Sequence, residues 1–314
     1  MPELPEVETI VRHLRVALKG LRIVSVDVYL PKVLASPDIV SLQTTLPGKA
    51  FLELERRGKY IIAHLAGGAA LVVHLRMSGQ LVYEPEGGPL PKHTHIVWRL
   101  NRGRLRFTDP RQFGRVWLVP ADRLQLVPGL RDLGAEPLDS TFRLETLAKA
   151  LSGRKRSVKA VLLDQTLIAG LGNIYTDEAL HRAQIHPVRP AGSLTARETR
   201  ALYQAIREVL QEGIAYGGTS VRDYVDGTGQ EGSYQNLLRV YGRNHQACPR
   251  CGQPIARIKV GGRGTYFCPH CQPERTPEVG RRTPEENKSA KPAPSPRDDR
   301  EPIENRYRTS RGET

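Results

Sequence analysis

The sequence predicts an α+β protein: a β-sandwich or barrel in its first half, a helical module after it, and a β-hairpin that carries four cysteines. Three observations lead there. Short β-type runs recur between residues 23 and 119, separated by Gly, Pro and Asn turns. Helical spacing takes over beyond residue 137, and every cysteine of the chain falls in two C-x-x-C pairs near its end.

The first element is a helix. From Pro5 onward, Val7, Ile10, Val11, Leu14 and Leu18 recur at helical spacing, and Gly20 supplies a stop. Runs of β type follow at 23–30, 60–65, 71–75, 96–100, 104–108 and 116–119, and their number and regular spacing suggest two packed sheets or a barrel. The β pattern ends around 120–137. Helices are then expected at 143–151, 158–164, 175–183 and 195–212, the last capped by Ser193 or Thr195. A hairpin at 241–272 carries the cysteines. Beyond it lies a Pro-rich stretch of mixed charge with almost no large apolar residues, too little burial to offset its ordering entropy, and disorder is expected there. The predicted domains are 1–135, 136–240, 241–272 and a tail at 273–314.

Charge narrows the class. The chain carries +14 with a pI near 9.9, the balance of a polyanion binder. Residues 273–314 hold ten Lys/Arg and nine Asp/Glu, so +13 of the excess sits on residues 1–272. The longest apolar stretch, 60–75, is interrupted by His64, a Gly pair and His74, and is shorter than the roughly 20 residues of a spanning helix. The opening MPELPEVET lacks the basic and apolar regions of a secretory signal, so a cytosolic protein without a membrane segment is expected.

The cysteines give the most specific local signal. Cys248 and Cys251 form one C-x-x-C knuckle, Cys268 and Cys271 another, with 16 residues between them. Four thiolates so spaced can surround one tetrahedral zinc and leave no open position for water, which makes the metal structural; a pair of disulfides is the other reading, disfavoured in a cytosolic protein. A zinc ribbon of a transcription or ribosomal protein shows the same pattern.

The chain start is chemically suggestive. Removal of Met1 before the small Pro2 exposes a secondary amine, which can attack an electrophilic sugar carbon and form an iminium. Its reference pKa, about 7.7 to 8.0, is far below that of lysine. Glu3 is a candidate general acid/base beside it, and Glu6 lies one turn on. From spacing alone, however, Pro2, Glu3, Pro5 and Glu6 read as an ordinary helix start.

Six motifs change that reading. MPELPEVETIVRHL, RRGKY, LRMSGQL, DPRQFG, LLDQTLIAGLGNIYTDEAL and GGRGTYFCPHCQ, in this order across residues 1–272, resemble those of formamidopyrimidine-DNA glycosylases. The resemblance implies a β-sandwich flanked by helices, a helix-two-turns-helix module and a zinc-finger hairpin, with double-stranded DNA in the cleft between them. It implies a bifunctional glycosylase and lyase of base-excision repair, acting as a monomer on oxidised purines with one structural zinc as the sole cofactor.

Residue by residue, the resemblance makes Pro2 the nucleophile, Glu3 the general acid/base and Lys59 the cleft lysine for phosphate contact and proton transfer. Asn173 bonds a phosphate beside the lesion, and Arg263, at the hairpin tip, clamps the phosphates around it. Glu6 and His93 join the DNA-facing set. Because the substrate base must leave the duplex, something must fill the hole: Met77, Arg111 and Phe113 match that set. Alternation along a strand also puts Arg111 and Phe113 on one side, where a core would not accept the arginine. The Gly-rich loop 217–235, with Thr219, Ser220, Arg222, Asp223 and Tyr224, matches the segment that closes over the flipped base. His93 and His95 alternate like metal ligands, but no acidic third ligand accompanies them.

Two other readings stay in play. The endonuclease VIII branch uses the same proline on oxidised pyrimidines; Leu4 and the Met77, Arg111, Phe113 set speak against it. A non-catalytic zinc-finger DNA-binding protein accounts for the charge and the cysteines, but has no use for Pro2, Glu3 and Lys59 together. The tail departs from the family pattern and reads as a DNA tether, a partner-binding segment or a spacer.

Overall fold

A computed structural model describes residues 1–221 and 223–274. Arg222 and, beyond residue 274, the tail expected to be disordered lie outside the described residues.

Helix α1 (Leu4–Leu18) starts with Pro5 in its first turn, and its apolar stripe of Val7, Ile10, Val11, Leu14 and Leu18 is fully buried. Gly20, at φ +80°, turns the chain out of the helix. Two sheets follow. One holds β1 (Ile23–Val28), β6 (Gln80–Glu84), β7 (Thr94–Leu100) and β8 (Arg104–Thr108) in the order β1-β7-β8-β6. The other holds β2 (Leu34–Ser36), β3 (Phe51–Arg57), β4 (Tyr60–Leu65), β5 (Ala69–His74) and β9 (Arg115–Pro120), ordered β2-β9-β5-β4-β3. The short helix α2 (Ile39–Thr45) is capped by Asp38. Only β2 and β9 pair in parallel among these strands. The expected β-sandwich is therefore present.

Strand β4 is apolar on both faces, and both are used. Ile61, Ala63 and Leu65 point into the core shared with α1 and the four-stranded sheet, where Trp98 and Phe107 are fully buried. Tyr60 and Ile62 point the other way, into a second cluster with Val72, Trp117, Val127 and Leu130. Period-two alternation thus fills three layers rather than two.

The helical half contains α3 (Leu144–Leu151), α4 (Val158–Leu162), α5 (Asn173–Arg182) and α6 (Ala196–Ala215). Thr195 caps α6: its Oγ1 accepts from Glu198 N at 3.2 Å while the Glu198 carboxylate accepts from Thr195 N at 2.8 Å. These helices share their own core, and Leu4 of α1 belongs to it. The finger hairpin is β10 (Ala256–Val260) and β11 (Arg263–Phe267), joined by Gly261 and Gly262, both at positive φ as a two-residue turn requires. Its base is anchored below the surface. Lys159 of α4, fully buried, donates to Asp177 of α5 at 2.7 Å and to Thr265 Oγ1 at 2.8 Å, and Tyr266 N donates to Asp177 at 2.9 Å.

Candidate active site

The first residues of the chain meet the start of α5. Leu4 N donates to Gly170 O at 3.0 Å. The Glu3 carboxylate accepts from the amides of Ile174, at 2.9 Å, and Tyr175, at 3.3 Å, so it sits at the positive end of that helix. Two glycines make this approach possible. Gly170 adopts φ +87°, and a Cβ there would stand 2.8 Å from Leu4 Cβ; a Cβ on Gly172 would occupy the place of the Glu3 carboxyl group.

Glu6 lies behind Glu3 and is buried. Its carboxylate accepts from Glu3 N at 2.7 Å, from Tyr175 Oη at 2.7 Å and from Thr219 N at 2.8 Å. Burial pushes its pKa up to about 7, helped by the neighbouring Glu3 charge and opposed by these donors. One carboxylate therefore ties together the chain start, α5 and the loop after α6.

Lys59 lies in the turn just before β4 and is also buried, with Nζ donating to Leu171 O at 2.8 Å. Burial lowers its pKa to about 8, with a further contribution from Arg263, against the attraction of Glu3 and Glu6. The amine at the chain start is pushed below its ordinary value too, chiefly by burial, while Glu3 and Glu6 pull the other way.

Two adjoining cavities meet at Met1. One, of about 350 Å³, is lined by Pro2, Met77, Arg111, Thr219, Asp223 and Tyr224 among others. The second, of about 520 Å³, is lined by Lys59, His74, Arg76, Gly172 and Arg263. The fold thus brings Pro2, Lys59, Arg263, Met77 and Arg111 around one chain end, with Glu3 and Glu6 buried beneath it. Asn173 lines neither cavity. Its Nδ2 donates to Gly264 O at 2.8 Å, tying α5 to the hairpin, and its Oδ1 is buried without a partner among the described residues. His93 is exposed in a turn at φ +65°, outside both cavities.

One expectation needs correction. Arg111 and Phe113 do not alternate along a strand; they lie on the turn between β8 and β9, with Gln112 at φ +59°. What shapes that turn is Asp109, fully buried, whose carboxylate accepts from Ser78 Oγ at 2.6 Å, Arg111 N at 3.2 Å and Gly114 N at 2.7 Å. Met77 and Phe113 are both exposed, which is unusual for such side chains away from a binding surface.

Residues 1–116 match the formamidopyrimidine-DNA glycosylase N-terminal domain, 133–225 the formamidopyrimidine-DNA glycosylase H2TH domain, and 246–273 a zinc finger found in FPG and IleRS. A formamidopyrimidine-DNA glycosylase of Pelotomaculum thermopropionicum is 54% identical over 273 residues, covering 87% of this chain and 99% of that protein. The chain belongs to the formamidopyrimidine-DNA glycosylase family. A second such glycosylase, from Desulforamulus reducens, is 52% identical over the same shares. Among solved structures, complexes of the Lactococcus lactis protein with N7-benzyl-Fapy-dG DNA and with abasic-site DNA each align at a TM-score of 0.82. They are 38% identical, covering 87% of this chain and all of theirs.

The zinc finger of this family member is built from Cys248, Cys251, Cys268 and Cys271. Their four Sγ atoms lie within 4.8 Å of one another, with Cys251 to Cys268 at 3.5 Å and Cys248 to Cys271 at 4.0 Å. A tetrahedron with Zn–S of about 2.3 Å has edges of about 3.8 Å, so the sulfurs fit one zinc ion held by thiolates alone. The metal is structural, because a closed shell of four thiolates leaves no open position for water.

Asp109 and Tyr175 escaped the reading of the sequence, as did the contacts that Thr219 and Tyr224 of the expected loop make. Asp109 sat inside DPRQFG, and Asp followed by Pro was a turn signal. Tyr175 and Thr219 face Glu6 across gaps of 169 and 213 positions, with no local trace. Tyr224 donates to Gly217 O at 3.0 Å, closing the loop on itself.

Proposed function

We propose that this member of the family excises oxidised purines from double-stranded DNA with the Pro2 amine as nucleophile. The observation that carries the proposal is the meeting, at the chain start, of the cavities lined by Pro2 and by Lys59, above the Glu3 carboxylate that the first turn of α5 holds. Once exposed, the Pro2 secondary amine has an ordinary pKa of about 7.7 to 8.0, far below that of lysine, so an appreciable fraction is uncharged and available to attack at neutral pH.

In the proposed sequence Met1 is removed first. The Pro2 nitrogen lone pair then attacks C1′ of the flipped 8-oxoguanine or formamidopyrimidine nucleotide, with proton help from Glu3, and the base departs with the electrons of the glycosidic bond. The C1′–O4′ bond then opens as the nitrogen lone pair forms the C1′ iminium, the amine's own proton being lost and O4′ taking one from Glu3; the iminium acidifies C2′, β-elimination expels the 3′ phosphate, and δ-elimination the 5′ phosphate. Lys59 contacts phosphate and assists proton transfer, and Arg263 and Asn173 hold flanking phosphates. Met77, Arg111 and Phe113 fill the vacated space. Chain boundaries near 135 and 240 divide the catalytic, helical and finger units. The protein acts as a monomer, testable by light scattering, and in the cytoplasm, a reading supported by its bacterial relatives and testable by cell fractionation.

Borohydride trapping tests the proposal, with wild type and Pro2→Gly on duplexes carrying 8-oxoguanine opposite cytosine or dihydrothymine. The expected result is an adduct that requires Pro2 and forms faster on 8-oxoguanine. A relative of Lactococcus lactis has been solved with DNA containing an oxidised pyrimidine, so preference rather than mere presence of adduct decides the branch. Faster trapping on dihydrothymine moves the chain to pyrimidine repair, and no adduct from zinc-loaded protein that binds DNA overturns the mechanism.

A further inference from the structure

Helix α5 ends beside the zinc knuckles. His181, in its last turn, is 1% exposed, and its Nε2 lies 3.4 Å from Cys248 Sγ. Its Nδ1 is buried with no partner among the described residues. Cys248 is itself almost wholly buried. On the second knuckle Cys268 Sγ accepts from a backbone amide, Cys271 N, at 3.4 Å.

Chemistry fixes the direction of the His181 contact. In a zinc tetrathiolate no sulfur carries a proton, since each ligand binds as the thiolate. The hydrogen between His181 and Cys248 therefore resides on Nε2. The other tautomer would bury an Nδ1–H with nothing to receive it and point the Nε2 lone pair at an anionic sulfur.

We propose that His181 is an outer ligand of the zinc centre: its Nε2–H donates to the Cys248 thiolate and keys the first knuckle to helix α5. A donor to a ligating thiolate draws charge from the sulfur, holds its orientation and resists its protonation and loss from the metal. The same helix receives Glu3 at its first turn through Ile174 N and Tyr175 N. One ten-residue helix thus bears the active-site carboxylate at one end and a zinc thiolate at the other.

The test uses the full chain as wild type, His181→Phe and His181→Gln. Phe fills the space without a donor; Gln returns an N–H at similar reach. Zinc release into excess EDTA is followed with a colorimetric chelator, and the sulfur-to-metal charge-transfer band is recorded after cobalt substitution. The expectation is about 10–100-fold faster zinc loss for His181→Phe, with its cobalt band at lower energy, and both properties near wild type for His181→Gln. A cobalt band unmoved in His181→Phe overturns the proposal even if zinc leaves faster, because packing alone then accounts for the loss. Should that variant fail to fold, long-range ¹⁵N–¹H correlation on zinc-loaded wild type decides: a His181 protonated on Nδ1 refutes the assignment, and one on Nε2 supports it.

Discussion

Gly172 and Lys59 carry the sharpest expectations for single side chains. A methyl group at residue 172 competes for the volume of the Glu3 carboxyl. Gly172→Ala should destabilise the fold by about 1–3 kcal/mol and lower the single-turnover excision rate by a larger factor than its lost stability explains; urea melts beside rate measurements check both. Lys59 has a folded pKa near 8, below its ordinary 10.5. Its cation is present below pH 8, so affinity for DNA with an abasic analogue should fall as pH rises through about 8, and Lys59→Met should flatten that limb. Stability runs the opposite way. A depressed amine favours the fold fully only above its unfolded pKa, and that contribution is lost as pH falls through 8. Lys59→Met should therefore gain stability over wild type at pH 6, and the gain should shrink by pH 10. Leu171 O keeps a donor in the variant, since Gln165 Nε2 also reaches it at 2.8 Å. Little of this environment is written locally: RRGKY reads as a charged turn, and the carbonyl that receives the Lys59 Nζ, Leu171 O, lies 112 positions away.

Elements were legible where their signals are local. Helix α6 begins after Thr195 because cap and Glu198 sit three residues apart, and α1 follows its apolar stripe from end to end. The turn at 109–114 was misread because periodicity ignores a side chain that bonds its own backbone, as Asp109 does. Lys159 was invisible for the converse reason: it interrupts an apolar helix face among Val158, Val161 and Leu162 and finds its partners on α5 and β11. Burial lowers the Lys159 pKa and raises that of Asp177 to about 7, while their mutual attraction opposes both shifts. Lys159→Met strands the Asp177 carboxylate in the interior, and a loss of about 3–5 kcal/mol in urea unfolding is expected. Lys159→Met combined with Asp177→Asn should recover much of it, and a double variant as unstable as the single one would contradict this account.

For the molecule as a whole the charge distribution is the strongest lever. Nearly all the excess, +13 of +14, belongs to residues 1–272. Affinity for undamaged duplex should fall steeply with salt, with a slope of about −0.9 per phosphate neutralised. Removal of residues 273–314 should leave that slope unchanged; a shallower slope would make the tail a DNA tether. The assembly of the cleft has a further bearing on how the enzyme is made. Its reactive segment is synthesised well before its partners: Glu3 waits for Ile174 and Tyr175, and Glu6 for Thr219. Translation at roughly 5–20 residues per second separates these partners by many seconds. Throughout that interval the amine and its acid lack the groups that position them, and catalytic competence arrives only with the closing of contacts that span most of the polypeptide.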